Sequence, residues 1–228
     1  MNKTKIKYSS TVFRPTGTSD LLYNAVIKYI KKPLELLDLG CGSGYVGIQI
    51  AKSIKYKSTF FFSDISIAAT KLTKFNISKN KIPGVVKNGS LFLPWKGHKF
   101  DIIVNDISGI SQKLSNISPW YNKNIPNYSG DDGTNLTIKF LDQADKYLNK
   151  HGLIFFPVIS LSNSKKVINF AKKKFRFLKK LTSKDWPLPK KMSEHVNLID
   201  KLNKKKLISI KKKFGLIVFR TDIYLARN

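Results

Sequence analysis

Short apolar runs alternate with amphipathic stretches along the chain. The runs are rich in β-branched and aromatic residues, which is typical of buried strands. They predict strands at 34–40, 58–65, around 85–86, and at 100–107, 153–160, 176–186 and 216–226. Apolar residues at helical spacing predict helices at 19–32, 45–56, 67–80, 134–149, 163–175 and 190–205, with a Ser-, Asn- and Pro-rich loop at 111–132. This alternation predicts an α/β fold with a doubly wound, parallel sheet.

The length of 228 residues predicts a single domain over 1–228. Residues 1–32 are its lead-in and first helix, and about 187–210 form a basic insert before the last strand. No apolar run approaches the roughly 20 residues of a membrane helix, and the basic N-terminus has no apolar segment of a secretory signal behind it. Cys41 is the one cysteine, and the three histidines lack metal-ligand spacing, so we expect no disulfide framework, no metal and a cytoplasmic protein.

Charge sets the chain apart from an ordinary globular protein. It has 42 Lys+Arg against 14 Asp+Glu, a net charge of +28. Between Lys165 and Lys213, 18 basic residues stand against three acidic ones, which is +15 in 49 residues. A basic excess of this size favours polyanionic partners such as RNA. The alternative is compositional drift, since Lys, Asn and Ile are all abundant, although drift does not explain the clustering.

A glycine-rich turn follows the first predicted strand and opens the next helix. Gly40, Gly42 and Gly44 have the spacing G-x-G-x-G, which differs from the G-x-G-x-x-G of dinucleotide sites. Asp38 lies two residues before the first glycine. Asp64 ends the next strand, 20 residues after Gly44, where a carboxylate can accept hydrogen bonds from ribose hydroxyls. The pattern predicts a nucleotide-containing ligand.

The segments LLDLGCGSG, FFSDIS and FDIIVNDIS resemble the S-adenosylmethionine (SAM) sites of class I methyltransferases. The resemblance implies a Rossmann-like sheet of seven strands whose last strand is antiparallel, with SAM as cofactor and S-adenosylhomocysteine as product. It implies that the three glycines lie against the amino-acid part of SAM, that Asp38 acts near its amino group and that Asp64 holds its ribose. Asn88-Gly89-Ser90 falls where the adenine is usually held, which makes Ser90 a cofactor-binding candidate. A nicotinamide or other nucleotide fold is the alternative.

FDIIVNDIS ends where that family places its substrate-reading motif, which in the amino-methylating branch is Asn-Pro-Pro-Tyr/Phe. There the Asn carbonyl accepts the amino hydrogens and the aromatic ring stacks on a planar amide or base. Here Asn105 is kept, while Asp106, Ile107 and Ser108 replace the rest. We take Asn105 and Asp106 as the catalytic candidates, with Asn105 also next to the cofactor. Loss of the ring and gain of a carboxylate favour a cationic or non-planar amine, unless Asp106 only caps a loop.

VFRPTGTSDLL (12–22) and YSGDDGTNLTIKFLDQADKYLNKHGLIFF (128–156) resemble the release-factor glutamine methyltransferases, in particular their short archaeal and eukaryotic form. This implies an N-directed methyltransferase acting on a translation-associated protein or on RNA. A small-molecule amine or thiol methyltransferase and a non-catalytic, RNA-binding SAM-fold protein are the alternatives. Trp120, Tyr121 and Tyr128 either line an acceptor pocket or pack the loop, and Trp186 either stacks on a base or covers the sheet edge.

Overall fold

The structure is a computed structural model that describes residues 4–107 and 109–228, and its centre is one mixed β-sheet. The strands are β1 (Glu35–Leu39), β2 (Thr59–Asp64), β3 (Gly84–Asn88), β4 (Phe100–Asn105), β5 (Leu148–Ile159), β6 (Phe177–Pro187), β7 (Lys211–Lys213) and β8 (Leu216–Arg227). The helices are α1 (Gly17–Val26), α2 (Tyr45–Ser53), α3 (Ile67–Lys79), α4 (Gln112–Ile117), α5 (Asn135–Ala144), α6 (Ser164–Lys174), α7 (Lys190–Ser193) and α8 (Val196–Lys204).

The sheet has the order β3-β2-β1-β4-β5-β8-β6. Strands β1 to β5 pair in parallel, whereas β8 is antiparallel to both β5 and β6. The predicted doubly wound sheet of seven strands with an antiparallel last strand is therefore confirmed. The short strand β7, which pairs with the first residues of β8, was not predicted.

Two cores cover the two faces of the sheet. Neighbouring residues of β4 alternate between them, since Ile103 belongs to one core while Ile102 and Val104 belong to the other. The first core contains side chains of α5 and α6, and the second contains side chains of α1, α2 and α3. The helices thus lie on both faces, as a doubly wound fold requires.

A third, smaller core lies beneath the insert that precedes β8. Met192, Ile199 and Leu202 are buried there by α7 and α8, together with Leu114 of α4 and Phe219 of β8. The amphipathic helices of the insert therefore dock onto the loop after β4. That the whole chain is a single domain stays a prediction.

Several predicted boundaries were wrong, for identifiable reasons. The helix predicted over 19–32 begins at Gly17, because Thr16 and Ser19 form a capping box, and it ends at Val26 before a short 3-10 turn. The helix predicted over 134–149 ends at Ala144, because Leu148 already pairs with Phe100 in the sheet. The predicted loop at 111–132 contains α4, and the helical insert at 190–205 is split into α7 and α8.

Candidate active site

The parallel strands β1, β2 and β4 end side by side, and this end of the sheet is called the carboxyl edge below. Leu39 pairs with Ser63 on one side and with Asn105 on the other, so the loops that follow the three strands meet. They surround a cavity of about 510 Å³. Ligands of open α/β sheets bind at this position, and the volume suits a small molecule.

The glycine-rich turn forms one wall of the cavity, because its backbone is tied down to β2. The N–H groups of Gly40 and Cys41 both donate to the carbonyl of Ser63, at 2.8 and 3.0 Å. Gly40 has φ +74°, and a Cβ there would lie 2.2 Å from Cγ2 of Ile107. Any larger residue at position 40 would therefore collide with the side chain of Ile107, in the turn after the neighbouring strand β4. Gly40 and Gly42 line the cavity, whereas Gly44 has φ +77° as the residue before α2 and is not among the described lining residues.

Asp38 lies at the floor of the cavity with one carboxylate oxygen in use and the other free. Its side chain is 1% exposed, and Oδ2 accepts a hydrogen bond of 2.8 Å from the N–H of Gly47. Oδ1 is buried and has no partner in the described part of the chain. The pKa of Asp38 is raised to about 7, mainly by burial. The hydrogen bond from Gly47 opposes this increase, and the nearby carboxylates of Asp106 and Asp64 add to it. An unpartnered buried oxygen at a lining position is a ready acceptor for a cationic or hydrogen-bonding ligand group.

Asp64 ends β2 and points back toward the glycine-rich turn. Its Oδ2 accepts from the N–H of Gly42 at 2.9 Å and its Oδ1 accepts from the N–H of Ser66 at 2.8 Å. Each carboxylate oxygen can accept a second hydrogen bond, so capacity for two hydroxyl donors remains. Burial raises the pKa of Asp64. Ser90 is exposed and lines the same cavity beside Leu91.

The turn after β4 gives the two catalytic candidates different positions, because Asp106 lines the cavity and Asn105 is not among the described residues that do. Asn105 is 2% exposed, its Oδ1 accepts from the N–H of Ile107 at 3.1 Å, and it is not among the described residues that line the cavity. Asp106 lines the cavity, and its Oδ2 accepts a 2.6 Å hydrogen bond from the hydroxyl of Ser19. Burial raises the pKa of Asp106 to about 6, and the hydrogen bond from Ser19 opposes this. Ser108, the last residue of the altered motif, lies outside the described residues.

Aromatic residues surround the rest of the cavity. Trp120, Tyr121, Tyr128 and Trp186 all line it, so these four candidates come together in space. Trp186 lies directly against the start of α1, because a Cβ on Gly17 would be 2.3 Å from its ring. Its Nε1 is buried without a partner among the described residues.

Sequence reasoning missed the contribution of the segment before and within the first turn of α1. Residues 11–13 and 15–19 line the cavity, and Ser19 holds Asp106 across 87 positions of sequence. The segment VFRPTGTSDLL was noticed only as a resemblance. Its capping-box pair, Thr16 and Ser19, was the one local signal that could have placed these residues at a helix start.

The described part of the chain contains neither a metal site of clustered ligands nor a membrane-spanning helix. Among those residues, no group of three or more His, Cys, Asp or Glu side chains is arranged to hold a metal ion. No helix there has the length and apolar character needed to span a bilayer.

Comparison with known families identifies similar sequences. Residues 5–106 match the family model of the methyltransferase small domain. The release factor glutamine methyltransferase of Thermodesulfovibrio yellowstonii is 30% identical over 180 residues, which cover 73% of this chain and 62% of that protein. The ribosomal protein uL3 glutamine methyltransferase of Francisella tularensis is 28% identical over 134 residues, covering 57% of this chain and 41% of that protein. The chain thus spans less than two thirds of the length of both relatives.

Comparison with solved structures supports the fold. The crystal structure of the ribosomal protein L11 methylase from Lactobacillus delbrueckii subsp. bulgaricus superposes with a TM-score of 0.58 at 16% sequence identity. The alignment covers 98% of this chain and 86% of that one. At this identity the similarity concerns the fold alone.

Proposed function

The chain belongs to the class I SAM-dependent methyltransferases, and from this premise we propose that it transfers a methyl group from SAM to a nitrogen atom of a protein of the translation machinery. Its relatives are named for glutamine residues of a release factor and of a ribosomal protein. The observation that carries the proposal is the cavity at the carboxyl edge, where the glycine-rich turn, Asp38 and Asp64 meet. We propose the cytoplasm as its compartment.

The residues of this cavity fit SAM. Gly42 leaves its part of the wall without a side chain for the amino-acid part, whereas the space beside Gly40 is filled by Ile107. The free Oδ1 of Asp38 suits an ammonium group. Asp64 retains acceptor capacity for the two ribose hydroxyls, and Ser90 lies on the side proposed for adenine. When bound, SAM supplies an electrophilic methyl group on a sulfonium ion. The protein contributes alignment of the acceptor with that methyl and exclusion of water.

We assign different roles to the two residues after β4. Asp106 reaches the cavity and would contact the acceptor, whereas Asn105 fixes the turn that presents Asp106, through its bond to Ile107. Gly44 would act through the backbone, by opening α2 directly after the turn.

Binding of S-adenosylhomocysteine, measured by isothermal titration calorimetry, tests the cofactor assignment. We expect a dissociation constant in the micromolar range for the unmodified protein. Asp64→Ala should weaken binding at least about tenfold, because it removes a charged acceptor worth roughly 1.5–3 kcal/mol. Asp101→Ala is the matched control, since Asp101 also accepts a backbone N–H, from Glu35 at 2.9 Å, but lies at the opposite end of β4. No binding by the unmodified protein, or tight NAD binding instead, would overturn the assignment.

RNA is a second candidate for the acceptor or partner, and a hairpin favours it. Strands β7 and β8 are joined by Phe214 and Gly215, and residues 211–216 are called the basic hairpin below. Lys211, Lys212 and Lys213 are exposed, and Phe214 is fully exposed with φ +48°. Exposed lysines beside a free aromatic ring match the phosphates and bases of single-stranded nucleic acid.

A further inference from the structure

The turn after β4 differs from the Asn-Pro-Pro pattern, and this difference takes a neutral hydrogen-bond acceptor, the amide oxygen of Asn105, away from the cavity. In the Asn-Pro-Pro pattern a proline stands at the position of Ile107, and proline has no N–H. Here the N–H of Ile107 donates to Oδ1 of Asn105, and the Asn105 side chain is 2% exposed. The amide oxygen is therefore engaged within the turn instead of facing a ligand.

A carboxylate faces the cavity in its place. Asp106 is held through Oδ2 by the hydroxyl of Ser19, and Ser19 is itself fixed because its Oγ accepts from the N–H of Thr16 at 3.3 Å. Oδ1 of Asp106 makes no hydrogen bond to any residue in the described part of the chain. One oxygen is thus anchored and the other is available.

The charge of the cavity is opposite to that of the protein. The net charge is +28, yet among the described lining residues there are three aspartates and no Lys, Arg or His. The three are Asp38, Asp64 and Asp106. The proposed function uses Asp38 and Asp64 for the cofactor, which leaves the charge of Asp106 without a counter-ion. Aromatic rings, which attract cations through their faces, form the neighbouring wall.

From these observations we infer that the methyl acceptor is a cationic primary amine, of the kind at the end of a lysine side chain, bound by Asp106 within the aromatic wall of the cavity. This inference rests on the proposed function and names its acceptor group. It departs from the planar, neutral glutamine amide in the names of the relatives.

The chemistry balances for an ammonium acceptor. The ammonium group gives up one proton, which Asp106 receives and passes to solvent. The nitrogen lone pair then forms the new N–CH₃ bond as the S–CH₃ bond of SAM breaks. The sulfur keeps the bonding electrons in S-adenosylhomocysteine, so the products are a methylated ammonium ion, the thioether and one proton. A glutamine amide can also donate an N–H to this carboxylate, but it carries no charge to neutralise that of Asp106.

Two small probes of similar size separate the acceptor classes. n-Butylammonium has the end of a lysine side chain, and butyramide carries an uncharged amide. Each is titrated into protein saturated with S-adenosylhomocysteine, with tryptophan fluorescence as the readout, because Trp120 and Trp186 line the cavity while Trp95 is buried in the core. We expect n-butylammonium to bind at least about tenfold more tightly than butyramide, which is the effect of one charge-assisted hydrogen bond.

Variants locate the interaction. Asp106→Asn should weaken n-butylammonium binding about tenfold and leave butyramide binding unchanged. Ser19→Ala releases the carboxylate and also removes the capping hydrogen bond from Thr16, and it should have the same effect to a smaller degree. Asp101→Asn is the matched control, because Asp101 is a hydrogen-bonded carboxylate at the opposite end of β4 and is not among the described lining residues.

The inference fails if butyramide binds as tightly as n-butylammonium, or if Asp106→Asn leaves n-butylammonium binding intact. Binding of S-adenosylhomocysteine, measured first on each variant, shows that the variant is folded. Binding of S-adenosylhomocysteine also distinguishes the two proposals. If the unmodified protein binds S-adenosylhomocysteine normally but does not prefer n-butylammonium, the amine acceptor is refuted while the proposed methyltransferase site is not.

Discussion

A buried aspartate at the floor of the cavity couples the site to the stability of the protein. Folding moves Asp38 from water to a position where it is 1% exposed and has a single hydrogen bond, from Gly47. Burial favours the protonated form, which raises the pKa from its usual 3.8 to about 7. The folded protein without ligand therefore holds a proton that the unfolded chain has already lost at neutral pH.

This coupling predicts a pH dependence of stability that depends on residue 38. A carboxyl whose folded pKa is raised favours folding at low pH, and this contribution is lost as the pH rises through about 7. Between pH 5 and 8 the unmodified protein should lose about 2 kcal/mol of unfolding free energy relative to Asp38→Asn. Urea unfolding of both proteins at the two pH values measures this. The same pH dependence in both would show that Asp38 is ionised in the folded state.

The sequence could predict the residues around the glycine-rich turn better than the geometry of the turn after β4. Asp38 and Asp64 follow from their fixed distance to the glycine-rich turn, which a strand–turn–helix unit places in space. Ser19 could not be predicted, because it reaches Asp106 across 87 positions of sequence. The engagement of the Asn105 amide oxygen depends on one N–H, that of Ile107, whose effect becomes visible only in the folded turn.

Among the elements, the strands were predicted more reliably than their ends. The strands at 58–65 and 100–107 have strong apolar runs, and they are β2 and β4. Local periodicity could not show that β5 begins at Leu148, because that boundary comes from pairing with Phe100, 48 residues earlier. It also could not show β7, whose three lysines carry no strand pattern of their own and are ordered by pairing with Leu216, Ile217 and Val218.

The register of β8 shows that the lysines of the basic hairpin, the first group, lie near the carboxyl edge. A second group, which includes Lys179, lies away from it. β5 ends where Ile159 pairs with Thr221, so residues 216–218 of β8 extend beyond the carboxyl edge. The basic hairpin therefore lies on the side of the cavity. Lys179 pairs with Leu225 and is level with the middle of β5, away from that edge. Only the first group is placed to contact a macromolecule whose acceptor group enters the cavity.

If RNA is that macromolecule, the two groups should differ in binding. Changing Lys211, Lys212 and Lys213 to Gln should weaken binding of a labelled single-stranded RNA. The salt-dependence slope should fall by at least about 1.4, which is roughly 0.7 for each of Lys211 and Lys212, because Lys213 is already paired with Asp185. Changing Lys172, Lys173 and Lys179 to Gln removes the same charge from exposed positions and should have a much smaller effect. Lys172 and Lys173 lie in the last turn of α6, which begins after the carboxyl end of β5 and runs back away from that edge. Fluorescence anisotropy at two salt concentrations measures both. Equal losses in the two variants would mean a general charge effect and no RNA site at the hairpin.

For the molecule as a whole, the dominant feature is a positive charge with few counter-charges. The 42 Lys+Arg residues outnumber Asp+Glu by 28, and Asp185 is shared between Lys213 and Arg220. These contacts hold the pKa of Asp185 well below its usual range. Most lysines are left to repel one another across the surface, and such repulsion opposes the compact state.

Salt should therefore stabilise this protein. Raising sodium chloride from low to physiological concentration shortens the Debye length to about 8 Å. We expect the midpoint of thermal unfolding at pH 7 to rise by about 2–4 °C, which corresponds to roughly 1 kcal/mol in a chain of this size. The variant with all six of the lysines above changed to Gln has a lower net charge and should show a smaller rise. A midpoint that falls with salt in the unmodified protein would mean that its ion pairs outweigh the repulsion.

The position of β8 between β5 and β6 has a consequence for synthesis on the ribosome. Strands β1 to β4 have all been synthesised by Asn105, so this half of the sheet can assemble while translation continues. The facing edges of β5 and β6 remain open until residues 216–227 have emerged. Contacts formed so late are distant in sequence, and they slow folding. During that interval the nascent chain presents two unpaired strand edges, which are the surfaces that chaperones protect and that aggregation exploits.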